Sequence, residues 1–392
     1  MKFVAKTLYG LENVLSRELH SIGALNITKV NRAVVFEGDK DLLYRSNYCL
    51  RTALSILMPI AEFRIRSKED LYEGAMRIRW EKYMDTEKTF SVVPVVNSPY
   101  FEHSGYPALV LKDAIADFFR LRKGERPDVD VNDPEIVINL HINHSLATIS
   151  LDSSVIPLFK RGYRKEQSAA PLNEVLAAGM LLISGWKGTT DLIDPMCGSG
   201  TIPIEAALMA SGTPPGKFRQ SFGFMKWNDY DKELFQKLKS ECENQFRKPS
   251  VEIKGSDNSQ TAIAQAEVNV ASAGMNEIIK LELSDFTTMK NTDGKRKYIF
   301  MNPPYGIRLQ PEELNNLYSA IGTTLKHGFP GSTAWLITPN REALKNVGLK
   351  PEEKHTLFNG PLECSLIRYE MYQGSKKADR DGFSSRKSPS NE

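Results

Sequence analysis

The chain has 392 residues, 41% hydrophobic and 25% charged, with a formal net charge of +3. That length suits two or three domains at about 100–200 residues each, and the composition excludes a fibrous or wholly disordered protein. The small basic excess is compatible with nucleic acid without requiring it, so any RNA surface has to come from local clusters of Lys and Arg.

The opening, Met1 to Lys6, lacks the apolar stretch of a signal peptide, and Phe3-Val4-Ala5 reads as a strand. Leu11 to Ile22 follows as an amphipathic helix with Leu11, Val14, Leu15 and Leu19 at helical spacing, closed by Gly23. Strands are expected at Thr28-Lys29-Val30 and Ala33 to Glu37, a helix at Lys40 to Leu50 and a strand near Ala53 to Pro59. Together they make a first α+β domain over residues 1–62.

A second domain, 63–155, is expected to hold a helix around Lys68 to Arg77, a strand at Thr89 to Val95 and a long helix from Leu109 to Arg122. A hairpin of Ile136 to Ile142 and Leu146 to Leu151, turning at Asn143-His144-Ser145, ends it.

From Leu172 the pattern becomes alternating helices and apolar strands, the signature of a doubly wound parallel sheet over 156–373. Strands are expected at 191–193, 251–254, 279–283, 298–301 and 333–337, helices at 203–210, 259–273 and 311–325, and an antiparallel pair near 354–358 and 364–372. The apolar run Val175 to Trp186 falls short of the ~20 residues a membrane helix needs. The polar tail, 374–392, is expected to be disordered.

The four cysteines, Cys49, Cys197, Cys242 and Cys364, are widely spaced without a CxxC pair, which argues against structural zinc and against a disulfide framework. His141 and His144 have no nearby cysteine and are not expected to bind metal. A reduced, cytoplasmic protein without metal or membrane partner is the expectation.

Asp194-Pro195-Met196-Cys197-Gly198-Ser199-Gly200-Thr201 ends one strand and opens a helix through a glycine-rich turn. Ligands of open α/β sheets bind outside the carboxyl ends of strands, at the topological switch. The turn has neither the Lys-Ser/Thr of a phosphate loop nor the third glycine of a dinucleotide fingerprint. S-adenosyl-L-methionine fits better, because it carries no phosphate and needs acceptors for two ribose hydroxyls. Asp257 ends the next strand and suits the ribose; Asp285 ends the one after and suits the adenine amine. The rival reading is that each aspartate only caps a turn. A branched side chain at Gly200 is expected to fill the ligand's space.

Asp257 comes about sixty residues after the glycine turn, far more than the ~20 of a dinucleotide fold. Residues 212–247 therefore form an insertion with a helix from Asp231 to Phe246, whose aromatics Phe218, Phe222, Phe224 and Trp227 are more in keeping with a core than with a base-stacking platform.

Asn302-Pro303-Pro304-Tyr305 closes a later strand. The lone pair of an exocyclic base amine is delocalised into the ring, so the amine is a poor methyl acceptor. The Asn302 side-chain oxygen and the Pro303 carbonyl can hold both its hydrogens and localise that lone pair, which is catalysis by positioning and electrostatics. Prolines stiffen the loop, and the Tyr305 ring can stack on an extruded base.

With these motifs the chain resembles the THUMP-domain RNA guanine-N2 methyltransferases, in particular the bacterial proteins related to the large-subunit ribosomal RNA enzyme. Gly10-Leu11-Glu12 with Leu15 and Glu18-Leu19, Lys112 to Ile115, Arg161-Gly162-Tyr163-Arg164 and Ala170-Pro171-Leu172-Asn173-Glu174 carry the resemblance outside the catalytic motifs. It implies ferredoxin-like and THUMP domains before a Rossmann-like class I methyltransferase domain. It also implies cofactor contacts at Asp194, Pro195, Cys197, Gly198, Ser199, Gly200, Thr201, Asp257 and Asp285, a junction with Pro171 and Asn173 that helps cover the cofactor, and catalysis by Asn302, Pro303, Pro304 and Tyr305. The sequence departs at Asp152-Ser153-Ser154-Val155, where a glycine is expected after the serine, and at Asn173, where Lys is common. A second catalytic domain fused in some relatives is not in this sequence, implying one methylation activity.

The leading expectation is methylation of guanine N2 in structured RNA, 23S ribosomal RNA first and transfer RNA second. Adenine N6 methylation of DNA, glutamine methylation of a protein and a catalytically silent RNA-binding factor are the alternatives. Candidate phosphate contacts are Arg64, Arg66 and Lys68; Arg77 and Arg79; and Arg120, Arg122 and Lys123.

Overall fold

The computed structural model describes residues 1–166, 171–306 and 310–372. Ala170 and the tail expected to be disordered, 374–392, lie outside them. The chain divides into two compact units, residues 1–162 with 213–246, and residues 163–212 with 247–392.

The first unit starts with β1 (Lys2–Lys6), α1 (Glu12–Ser21), β2 (Leu25–Val30), β3 (Ala33–Glu37), α2 (Lys40–Cys49) and β4 (Ser55–Arg64). It continues through α3 (Lys68–Met76), β5 (Phe90–Asn97), α4 (Tyr106–Lys123), β6 (Ile136–Asn143) and β7 (Leu146–Asp152). Local chemistry fixes the ends: Asp39 and Ser67 cap α2 and α3 by accepting from Leu42 and Asp70 amides, and Gly124 ends α4 in the left-handed conformation.

All seven strands form one sheet, ordered β2-β3-β1-β4-β7-β6-β5. β4 is longer than its apolar pattern suggested and crosses the expected boundary at 62/63. Its first half pairs with β1 and its length pairs with β7, with a register shift between Pro59 and Ala61. The two expected front domains therefore share a strand. Val155 takes the left-handed backbone at φ 58°, which accounts for the glycine expected there.

The chain then enters the second unit with α5 (Glu174–Ile183), β8 (Leu192–Asp194) and α6 (Thr201–Ala210), where α5 takes up most of the apolar run at 175–186. It returns to the first unit over 213–246, which supplies α7 (Lys232–Glu243). Phe222, Phe224, Trp227 and Phe235 are buried there with Tyr44 and Tyr48 of α2, Tyr44 stacking on Phe224 at 4.3 Å between centroids. The insertion is thus part of the first unit's core.

The second unit is completed by β9 (Ile253–Asp257), α8 (Gln260–Ser272), β10 (Ile279–Leu283), β11 (Tyr298–Met301), α9 (Pro311–Gly328), β12 (Thr333–Thr338), β13 (Glu353–Asn359) and β14 (Leu362–Glu370). Its sheet runs β10-β9-β8-β11-β12-β14-β13, parallel from β10 to β12, with β14 and β13 antiparallel. The order reverses between β8 and β11, and that reversal is the topological switch where ligands bind. No helix among the described residues is long and apolar enough to cross a membrane.

Candidate active site

A cavity of about 840 Å³ opens at the carboxyl ends of β8 to β11 in the second unit. Its walls include Pro171, Leu172, Asp194 to Ser199, Thr201, Asp257, Asp285 and Asn302 to Gly306. The glycine turn, both acidic strand ends and the Asn-Pro-Pro-Tyr loop are thus brought together as the sequence pattern suggested. Gly200 and Asn173 are not on the walls.

The turn is held by backbone chemistry. Asp194 Oδ1 accepts the Met196 amide at 3.2 Å, the Cys197 amide donates to the Ser256 carbonyl at 2.9 Å, and the Gly198 amide donates to Asp257 Oδ2 at 3.0 Å. Gly198 has φ 52°, and a Cβ built there meets nothing within 4 Å, so this glycine leaves room on the cavity side. Gly200 differs from expectation. Its φ of 84° also calls for glycine, but a Cβ there lies 3.3 Å from the Ala266 Cβ of α8, so its constraint is packing against that helix rather than room for a ligand.

The Ser199 and Thr201 hydroxyls accept from the Arg164 guanidinium at 3.0 and 2.9 Å, and Arg164 Nε donates to Glu174 Oε1 at 2.7 Å. Asn269, fully buried on α8, donates to the Ser199 carbonyl at 3.0 Å and the Glu166 carbonyl at 2.8 Å, and accepts the Lys165 and Glu166 amides. Arg164 and Asn269 therefore fasten the junction segment to the glycine turn. Asn269 is not a motif residue; its only signal is an amide between Val268 and Val270 in a small-residue helix. Asn173 accepts the Val175 and Leu176 amides at 2.9 and 3.3 Å and so caps α5, while its neighbours Pro171 and Leu172 line the cavity.

Asp194 is 1% exposed, and burial pushes its carboxyl well above the usual range, with the Asp257 charge adding to the shift. The Cys197 thiol is likewise pushed up by burial and by the charges of Asp194 and Asp257, so it is a neutral wall group. Asp257 Oδ1 also accepts the Ser259 amide at 3.0 Å, whereas the α8 cap itself is Ser259. A carboxylate has about four acceptor positions, so the two backbone bonds leave capacity for a ligand. Asp285 is exposed and accepts the Thr287 amide and hydroxyl, each at 2.8 Å. Both aspartates accept turn amides, and both line the cavity.

Asn302 lines the cavity with its side-chain oxygen buried and without a hydrogen-bond partner among the described residues. A buried acceptor of this kind is costly unless a ligand satisfies it. Pro303 is buried and Pro304 exposed. The Tyr305 hydroxyl accepts from Asn359 Nδ2 at 3.2 Å, and burial, with Cys364 adding, raises its pKa and keeps it protonated. Phe286, Glu313 and Leu317 complete the wall without a motif of their own.

Residues 161–368 match the RMKL-like methyltransferase domain, 66–152 the THUMP domain, and 2–57 the RlmL ferredoxin-like domain. The chain is 36% identical to the ribosomal RNA large subunit methyltransferase K/L of Syntrophotalea carbinolica over 95% of this chain and 54% of that protein, so it spans about half that relative's length. It is 35% identical to slr0064 of Synechocystis sp., a candidate RNA methyltransferase, over 94% of this chain and 97% of that protein. Among solved structures, SMU.472, a candidate methyltransferase complexed with SAH, superposes at a TM-score of 0.86 with 28% identity, covering 95% of this chain and 99% of that one.

Proposed function

The chain belongs to the RMKL-like methyltransferase family, and from that premise we propose that it methylates the exocyclic N2 amine of a guanine in structured RNA, with large-subunit ribosomal RNA as the substrate. The cofactor is S-adenosyl-L-methionine. The cavity fits it: Gly198 leaves backbone space, and Asp257 and Asp285 offer acceptors on the same wall. When bound, it supplies a methyl group already activated by the sulfonium.

Asp257 accepts from the ribose hydroxyls and Asp285 from the adenine amine. Asn302 Oδ1 and the Pro303 carbonyl accept the two hydrogens of the target amine, turning its lone pair out of conjugation. The Tyr305 ring, anchored through its hydroxyl on Asn359, stacks on the base. Arg164 and Asn269 are positioning residues behind the turn.

The carrying observation is the orphaned Asn302 oxygen in a cavity shared with the glycine turn and both aspartates. The THUMP match at 66–152 favours RNA over DNA or protein. The test is to methylate ribosomal, transfer and duplex-DNA substrates with the purified chain and to identify the modified nucleoside by mass spectrometry. N2-methylguanosine in ribosomal RNA is the expected product; N6-methyladenine or an unmodified RNA pool would overturn the reading.

A further inference from the structure

In the first unit the sulfurs of Cys49, near the end of α2, and Cys242, near the end of α7, lie 3.1 Å apart although 193 residues separate them in the chain. Both are free thiols; Cys49 is half-buried and Cys242 is 4% exposed. The Arg45 guanidinium lies 3.8 Å from the Cys242 sulfur and is held by Asp41 and Glu241, each at 3.2 Å. The wide spacing of the cysteines, which argues against a disulfide framework, gives no sign of this pair, because nothing in the sequence brings α7 to α2. The aromatic core shared by the two helices does so. Nothing in the methyl-transfer site uses either thiol.

We propose that Cys49 and Cys242 form an oxidisable thiol pair, a modification site that hydrogen peroxide converts to an intramolecular disulfide stapling α7 to α2. Either sulfur can donate to the other, and the Arg45 guanidinium lies against Cys242, so the thiolate is favoured there with the Cys49 thiol donating to it; the Cys242 pKa is lowered and that of Cys49 raised. The Cys242 thiolate attacks one peroxide oxygen, the O–O bond breaks, and a sulfenic acid forms as the leaving hydroxide takes a proton to become water. The Cys49 sulfur then attacks the sulfenic sulfur; the S–S bond forms, the S–O bond breaks, and a second water leaves carrying the Cys49 proton. Two thiols lose two electrons and two protons, and one peroxide is reduced to two waters. The pair lies in the first unit, so its chemistry stands independently of the proposed methylation.

The full-length protein is treated with hydrogen peroxide, its remaining thiols are alkylated, and its peptides are mapped by mass spectrometry. The expected result is one peptide joining Cys49 to Cys242, lost on reduction by dithiothreitol, with Cys197 and Cys364 alkylated. Oxidised wild type should melt at a higher temperature than reduced wild type, because a cross-link over so long a loop restricts the unfolded chain. Cys49→Ser should remove both the linked peptide and the shift, and leave Cys242 as a sulfenic acid trapped by dimedone. Full alkylation of both cysteines after peroxide, linkage only between molecules, or sulfinic acids without the linked peptide would each overturn the proposal.

Discussion

The Gly198 amide donates to Asp257 Oδ2 at 3.0 Å, tying the glycine turn to the end of the neighbouring strand across 59 residues. One carboxylate thus shapes the turn and faces the cavity. Asp257→Asn should weaken S-adenosylmethionine binding about tenfold to a hundredfold, since hydrogen bonds to a charged group are worth ~1.5–3 kcal/mol. Gly198→Ala should weaken it too, because an L-residue in the left-handed region costs roughly 1–2 kcal/mol and its methyl enters the cavity. Calorimetry on folded variants decides; undiminished affinity in both would remove the turn from the cofactor site.

Asn302→Ala should leave cofactor affinity nearly unchanged and lower turnover about a hundredfold, the scale for losing one preorganised polar group. Tyr305→Ala should raise KM for RNA, while Tyr305→Phe keeps the ring and loses the hydroxyl's bonds to Asn359 and Cys364. Steady-state kinetics separate the two effects. Normal turnover by Asn302→Ala would dismiss amine positioning as the mechanism.

Asp194 makes a pH prediction. Its carboxyl is raised well above 3.8 by burial, so between about pH 4 and the raised value the folded chain holds a proton that the unfolded chain has released. Stability therefore falls as pH rises through that window. Asp194→Asn keeps an acceptor for the Met196 amide and has no charge to desolvate. It should melt higher than wild type at neutral pH, with the difference vanishing below about pH 4, where both side chains are neutral. Equal melting curves at pH 7 would mean that Asp194 is not desolvated at a cost.

The strand-end chemistry was legible because acidic and Asn-Pro-Pro-Tyr residues follow apolar strands at a sheet's switch point, where local pattern and topology agree. Long-range partners were not. Asn269 reaches the turn from a helix face, Gly200 packs on Ala266, and Cys242 meets Cys49 only because an insertion folds back onto α2. β4 was underestimated because its second half is less buried and loses the apolar signal.

Val155 has φ 58°, a conformation unfavourable to a β-branched residue, and a Cβ built on Gly223 would come within 2.5 Å of its Cγ2. Val155→Gly should stabilise the protein by about 0.5–1 kcal/mol, relief of left-handed strain outweighing the entropy of a new glycine. The urea midpoint checks this, and a lower midpoint would mean that Val155 packing outweighs the strain.

The last prediction concerns what the first unit does, and it depends on the return of the chain at 213–246. Deleting residues 1–155 alone would strip Tyr44 and Tyr48 from Phe222, Phe224, Trp227 and Phe235, leaving an uncovered aromatic cluster. That truncation should aggregate whatever its chemistry. The insertion can be removed as well, because its flanks meet: the Arg247 amide donates to the Ser211 carbonyl at 2.9 Å. A chain lacking 1–162, with a short Gly-Ser link replacing 213–246, should fold and bind S-adenosylmethionine as the full protein does. It should fail to methylate structured RNA, because the proposed site engages only the target base, and affinity for a folded RNA comes mostly from phosphate contacts on a larger surface. RNA binding by the full chain should accordingly fall steeply with salt. If the folded second unit alone methylated RNA at the same nucleotide and rate, the first unit would have no part in substrate recognition.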